Sequence, residues 1–267
     1  MDDDAARDDD APVLVTGGTG MLGREVVAEL LRRGRAVRLL SRRPATDDAP
    51  GIGRVVGDLT TGAGLDTALA GVAAVIHCAS EPGTPARDVE AAGRLLIAAR
   101  AAGTPHLVFI SIVGVDAIPY SYYRAKLEVE GLVEAGGVPW TTLRATQFHQ
   151  FVPRLLDRMT VAGLTVLPGG TSVQPVEVRE VAARLVDLVA AGPSGRVEDL
   201  AGPQVLSARE AYRIVAAAQG RRPRSVSVPL PGKAFAAVRA GHHLAPPDHA
   251  TGRVTLAEAL ADEAAQG

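Results

Sequence analysis

The segment Thr16-Gly17-Gly18-Thr19-Gly20-Met21-Leu22-Gly23 constrains the fold more than any other stretch of this chain. It follows a short β-branched apolar run at residues 12–16. It opens a stretch, 20–33, in which Leu22, Val26, Val27, Leu30 and Leu31 recur on one helical face. Glycines between a strand and a helix at this spacing suit a dinucleotide. Gly17 permits the tight turn, and Gly20 lets a pyrophosphate approach the backbone at the helix N-terminus, where free N–H groups and a partial positive charge await an anion. Gly23 lets the helix pack closely on the strand. Thr19, Met21 and Leu22 complete the expected contact segment.

Strands are expected at 12–16, 36–40, 54–56, 72–77, 106–111 and 140–144. Helices are expected at 20–33, 65–69, 87–102 and 122–135, closed by Gly34, Gly103 and Gly136-Gly137 where glycine ends them. This alternation predicts an α/β fold: a Rossmann-type, doubly wound parallel sheet covered on both faces. After residue 145 the rhythm loosens, with helices expected at 148–159, 178–191, 208–218 and 255–263 and strands at 164–167, 196–201 and 224–228. The organisation expected is a disordered acidic tail at 1–11 and a nucleotide-binding core at 12–147. A small substrate-covering C-terminal region at 148–267 packs on that core as one compact unit.

Charge and composition exclude several functions. The formal net charge of -2 gives no basis for a nucleic-acid partner. A single cysteine, Cys78, rules out an intrachain disulfide and a cysteine metal cluster, and it reads as a small buried filler. His242, His243 and His249 have no carboxylate or cysteine at ligand spacing, so no metal site is expected. No apolar run nears the roughly 20 residues needed to cross a bilayer. The first ten residues hold six acids, the opposite of a signal peptide, and a cytoplasmic protein is expected.

The end of the second strand selects the cofactor. An acidic residue there would accept hydrogen bonds from both ribose hydroxyls. This chain instead has Ser41-Arg42-Arg43, with Asp47 and Asp48 too late. Two guanidinium groups suit a 2′-phosphate, so NADP(H) is the cofactor expected. Asp58, after the third strand, is open to two readings. It accepts from the adenine amino group with Leu59 against the ring, or it is a turn aspartate.

TGGTGMLG, the SRR after the second strand, GDL and the segment 109–148 resemble the atypical short-chain dehydrogenase/reductases, most closely their NmrA-like NAD(P)H-binding subgroup. QPVEVREVA at 174–182, LAGPQVLS at 200–207 and GRVTLAEAL at 252–260 extend the likeness to about residue 260. The resemblance implies that Ala79 and Ser80 line the adenosine-ribose side and that Ser111 stands near the nicotinamide. It places Thr146, Gln147 and Phe148 at the nicotinamide and substrate, with the Gln174 segment bordering the cleft. It also implies a fold whose members include reductases, epimerase-like enzymes and silent cofactor sensors.

Tyr122 and Lys126 carry the Tyr-x-x-x-Lys spacing of that superfamily, on one face of the expected helix. A phenol is a weak acid with a pKa of about 10. A nearby ammonium favours its phenolate, so the pair suits proton transfer to or from a substrate oxygen, with Ser111 as a hydrogen-bond partner. Lys126 would also hold the nicotinamide ribose. Tyr123 lies near the same face and is the alternative tyrosine. His149 is either an acid–base group or a pocket wall. The expected activity is NADPH-dependent hydride transfer to a small carbonyl, enone or quinone. Redox-neutral chemistry on the same fold and a non-catalytic NADP(H) sensor remain open. So do a monomer and a homodimer.

Overall fold

A computed structural model describes residues 11–44, 50–103 and 105–266. The expected tail lies almost wholly outside the described residues, as do Asp47 and Asp48. The described chain divides into two compact units that interleave along the sequence. The first holds the stretches up to 111, 124–143 and 181–197; the second holds 112–123, 144–180 and 198–267. The expected sequential division at 147 therefore differs from these units in three segments, 112–123, 144–147 and 181–197.

The first unit is built on a seven-stranded sheet. Its strands are β1 (Val13–Thr16), β2 (Val37–Ser41), β3 (Ile52–Val56), β4 (Ala74–His77), β5 (His106–Ile112), β6 (Trp140–Ala145) and β10 (Gly195–Arg196). They lie in the order β10-β6-β5-β4-β1-β2-β3. β1 pairs in parallel with both β2 and β4, β2 with β3, β4 with β5, and β10 with β6. β1 and β4 are buried at every position, as strands covered on both faces must be. Helix α1 (Met21–Arg32) buries Leu22, Val26, Val27 and Leu30. α2 (Leu65–Leu69), α3 (Pro85–Ala101) and α4 (Ser121–Ala135) follow. Leu14, Leu69, Leu95, Leu107, Phe109 and Val133 belong to one buried cluster.

The second unit has a three-stranded sheet of residues 160–161, 164–168 and 225–228, with 164–168 in the middle. β7 (Thr160–Val161) turns into β8 (Leu164–Pro168) through Ala162 and Gly163, both at positive φ. β12 (Ser225–Val228) lies parallel to β8. β9 (Ser172–Val173) and β11 (Leu206–Ser207) form an antiparallel pair. Helices α5 (Phe151–Arg158), α7 (Ala208–Ala218) and α9 (Leu256–Gln266) share a core of Val152, Leu156, Leu167, Tyr212, Val215 and Leu256. Ser207 and Glu210 form a capping box that starts α7. α6 (Val178–Ala191) runs from the second unit into the first, and α8 (Lys233–Arg239) stands in the second.

Two expectations are corrected. The helix expected from 148 begins at Phe151, because Phe148 bridges Val176 and the His149 amide donates to the Val176 carbonyl at 3.1 Å. The strand expected at 196–201 shrinks to Gly195–Arg196, with Leu200 making only an isolated bridge to Ala145. Among the described residues no helix is long and apolar enough to cross a membrane.

Candidate functional site

The strand order of the large sheet reverses between β1 and β4, and a cleft of about 890 Å³ opens beside the ends of those strands. Open α/β sheets bind their ligands at such a reversal. Gly17 has a φ of +70°, and a Cβ there would stand 2.6 Å from the Ala79 amide nitrogen. The two loops thus meet backbone to backbone, which a side chain would prevent. A Cβ at Gly20 would meet only the Gly17 carbonyl, at 3.2 Å, so its cleft side is open.

The turn closes directly into α1. Gly20 donates its amide to the Gly17 carbonyl at 2.9 Å, and Arg24 donates to Gly20 at 3.0 Å. The N–H groups of Met21, Leu22 and Gly23 precede that first helical bond. No side chain caps them, and no acid occupies the first turn. The helix end is thus electrostatically ready for an anion. Met21, Leu22 and Gly23 offer that end their backbone. Their side-chain positions do not line the cleft, and Leu22 and Gly23 are buried.

Thr19, Ser41, Arg42, Arg43, Asp58, Leu59, Ala79 and Ser80 all line the cleft. The Ser41 hydroxyl accepts the Arg43 amide at 3.2 Å. Arg42 lies 3.6 Å from Glu81 across the cleft, and Arg87 lies 3.5 Å from the same carboxylate. Exposed pairs of this kind are worth about 0–1 kcal/mol, whereas each charged contact to phosphate is worth about 1.5–3 kcal/mol. A charged phosphate contact would thus outweigh the exposed Arg42–Glu81 pair. One oxygen of Asp58 accepts both the Thr60 amide, at 2.8 Å, and the Thr60 hydroxyl, at 2.7 Å. These bonds hold its carboxyl below the usual range. Asp58 is thus a turn aspartate that also faces the cleft.

Lys126 is buried on α4 with its ammonium 4.9 Å from the centre of the Phe109 ring and 3.4 Å from the Ile110 carbonyl. Burial pulls its pKa down, opposed chiefly by the carboxylates of Asp88 and Glu130. Ser111, at the carboxyl end of β5, is 2% exposed and its hydroxyl has no hydrogen-bond partner. An unsatisfied buried hydroxyl costs about 1–3 kcal/mol, so this atom calls for a ligand. His77 is buried, hydrogen-bonded to Thr16 at 2.7 Å and stacked on Phe109. Burial pushes the Cys78 thiol up to about 12, so it is no nucleophile. The glycine cradle and the orphaned Ser111 hydroxyl together fit a dinucleotide.

The remaining candidates belong to the second unit. Tyr122 and Tyr123 are partly buried, with ring centroids 6.5 Å apart. Burial pushes the Tyr123 phenol up to about 12, opposed by a hydrogen bond with Gln147. Gln147 accepts the Val176 amide on its carbonyl at 2.8 Å. Phe148 is half-buried. Gln174, expected at the substrate, instead spends its amide on backbone: it donates to Gly202 at 3.1 Å and accepts from Ala245 at 3.0 Å. His149 is fully buried and bonds the Val254 carbonyl at 3.0 Å. It reads as a tie to the C-terminal segment. Thr146 accepts the Gly202 amide at 3.4 Å. No metal-binding cluster occurs among the described residues.

The NAD(P)H-binding family model matches residues 17–191, about two thirds of the chain and the whole of the cradle. The chain belongs to the NAD(P)H-binding family. It is of the atypical short-chain dehydrogenase/reductase, NmrA-like kind. This family member is 38% identical over 204 residues to the (4-alkanoyl-5-oxo-2,5-dihydrofuran-3-yl)methyl phosphate reductase of Streptomyces griseus subsp. griseus, covering 74% of this chain and 70% of that one. It is 30% identical over 260 residues to the NAD(P)H azoreductase of Xenophilus azovorans, covering 90% and 89%. The NADPH-dependent quinone oxidoreductase of Escherichia coli, solved with NADPH, shares the fold at a TM-score of 0.79 and 21% identity, over 94% of this chain and 99% of that one.

Sequence reasoning missed two groups in this NAD(P)H-binding protein. Asp88, buried in the first turn of α3, accepts the Ser80 hydroxyl at 2.6 Å and the Glu81 amide at 2.7 Å, and so shapes the cleft wall. Only a fold that returns α3 to this loop reveals it. Arg54 also lines the cleft, and a charge at the head of an apolar strand run was its one signal. Gly23 yields a direct test. A Cβ there would stand 2.7 Å from the Gly17 carbonyl carbon and 2.7 Å from the Gly18 Cα, both rigid backbone. Gly23→Ala is expected to lower stability by about 1–3 kcal/mol and to weaken NADPH binding. Thermal unfolding and calorimetric titration check it, and a variant unchanged in both would remove the close-packing role.

Proposed function

We propose that this protein is an NADPH-dependent reductase acting on a small carbonyl, enone or quinone. The observation that carries the reading is the switch-point cleft, with its side-chain-free cradle at Gly17 and Gly20 and its arginine wall. Bound reduced nicotinamide supplies the hydride. The chain does the rest. The turn and the first amides of α1 receive the pyrophosphate, Arg42 and Arg43 the 2′-phosphate, and Asp58, Leu59, Ala79 and Ser80 the adenosine. Lys126 holds the ribose hydroxyls and Ser111 the reacting oxygen. Tyr122 donates the proton to the developing alkoxide. Gln147, Phe148, His149 and the Gln174 segment wall the substrate side, with Gln174 and His149 acting through backbone they fix. We place the enzyme in the cytoplasm, as a monomer or homodimer with no nucleic-acid partner.

Named relatives that are reductases support this reading over a redox-neutral enzyme or a silent sensor. The test follows cofactor absorbance with NADPH or NADH against panels of carbonyls, enones and quinones. Cofactor consumption matched by reduced product is expected. Product without net NADPH consumption, or no turnover with any class, sinks the reductase reading. The Arg42→Ala/Arg43→Ala double variant is expected to weaken NADPH by about tenfold or more for each lost phosphate contact, and NADH hardly at all. Equal losses for both cofactors in calorimetry would remove the two arginines from phosphate recognition.

A further inference from the structure

We infer that Arg54, backed by Arg24, supplies a 2′-phosphate subsite beside the pair that follows β2. The inference rests on the NADP(H) reading above and names further residues for it. A second hollow of about 290 Å³ adjoins the main cleft. Val27, Leu39 and Ile52 line its apolar part, and Thr19, Arg24 and Arg54 its polar part. Thr19 and Arg54 line both spaces, so the two are continuous there.

Strand register explains the placement. Arg54 on β3 pairs with Leu39 on β2. Leu39 packs so tightly beneath the glycine turn that a Cβ at Gly18 would stand 2.5 Å from its Cδ2. Arg54 is therefore one strand beyond Leu39 and two strands out from β1, on the side where Leu39 meets the turn. Arg24, near the start of α1, lines the same hollow, and Thr19 and Arg24 are both exposed.

Charge partners separate these arginines from Arg42. Arg42 faces Glu81, which Arg87 also approaches. Among the described residues no ion pair engages Arg24 or Arg54, so an incoming dianion displaces nothing to reach them. The planar fork of each guanidinium matches two phosphate oxygens. An unphosphorylated ribose has no group to fill this hollow, so the gain falls on NADP(H) alone.

The test is calorimetric titration of the full chain with NADPH, NADH, adenosine 2′-phosphate and adenosine 5′-phosphate. The proteins are the wild type, Arg54→Ala, Arg54→Lys and Arg24→Ala, each checked by thermal unfolding. Arg54→Ala is expected to weaken NADPH and adenosine 2′-phosphate by about tenfold, with NADH and adenosine 5′-phosphate changed by less than about twofold. Arg54→Lys should recover part of that loss, and Arg24→Ala should show a smaller loss with the same selectivity. If the wild type prefers NADPH and Arg54→Ala keeps the full preference, the subsite is wrong while the cofactor reading stands. If the wild type binds NADPH and NADH alike, both fail together. A loss equal for all four ligands assigns Arg54 to the fold and overturns the subsite.

Discussion

Tyr122→Phe is expected to bind NADPH as the unaltered protein does and to turn over roughly 10²–10⁴-fold more slowly. Tyr122 stands four residues before Lys126 on α4, the spacing that places two positions on one helical face. The phenol of Tyr123 is engaged by Gln147, and burial holds it protonated far above neutrality. That opposes the phenolate expected from the lysine, and it matters for direction. A phenol that keeps its proton serves as an acid, and reduction of a carbonyl needs an acid. Tyr123→Phe should therefore cost turnover less than Tyr122→Phe. Steady-state rates with calorimetric cofactor affinities decide the matter. If Tyr123→Phe carries the larger loss, the two exchange roles; if neither slows turnover, proton transfer by tyrosine is wrong.

Acid should destabilise the first unit well before its carboxylates titrate. His77 is buried against Phe109, and burial, aided by the Lys126 ammonium, pushes its pKa down to about 3. Above the unfolded value of 6.5 both states are neutral and the shift contributes no penalty. As pH falls from 6.5 toward 3 the unfolded chain binds a proton that the folded chain refuses, so stability drops. The full loss is of order 4–5 kcal/mol, about half of it between pH 6.5 and 4.5. His106, in the same unit, is shifted the same way by burial and adds to the slope, while His149 and His243, shifted likewise, act on the second unit. Denaturant unfolding at pH 7 and pH 5 measures it. His77→Asn should flatten the slope, and a variant with the wild-type slope would remove His77 as its source.

Most of the first six strands were legible because they are short, largely buried apolar runs bounded by turn residues; the edge strand Ile52–Val56, with Gly53 and Arg54 exposed, was read only from residue 54. Val13–Thr16 and Ala74–His77 carry no polar face to confuse the pattern beyond their last residue. Leu65–Leu69, Val178–Ala191 and Ala208–Ala218 were read to the residue, because apolar spacing and, for the last, the Ser207–Glu210 box mark their ends. Strands of two residues, such as Ser172–Val173 and Leu206–Ser207, have no periodicity to read and exist only through each other. Lys233–Arg239 was missed because it buries nothing fully and so shows no apolar stripe. At the site the glycine turn was legible because its chemistry is local. Asp88 and Arg54 were not, since only the folded sheet brings the first to the Ser80–Glu81 loop and the second to the cleft wall.

The two-residue strand β10 has a consequence for the nascent chain. It extends the large sheet beside β6, yet it is made 50 residues after β6 ends. Residues 181–197 belong to the first unit, while 144–180, synthesised before them, belong to the second. A ribosome therefore cannot release a finished first unit and then begin the second. The sheet waits with β6 at its edge until residue 197 has emerged, and the intervening 37 residues are held in a loop whose closure must precede completion. Such long-range closure slows folding and leaves a strand edge unpaired until the closing segment arrives.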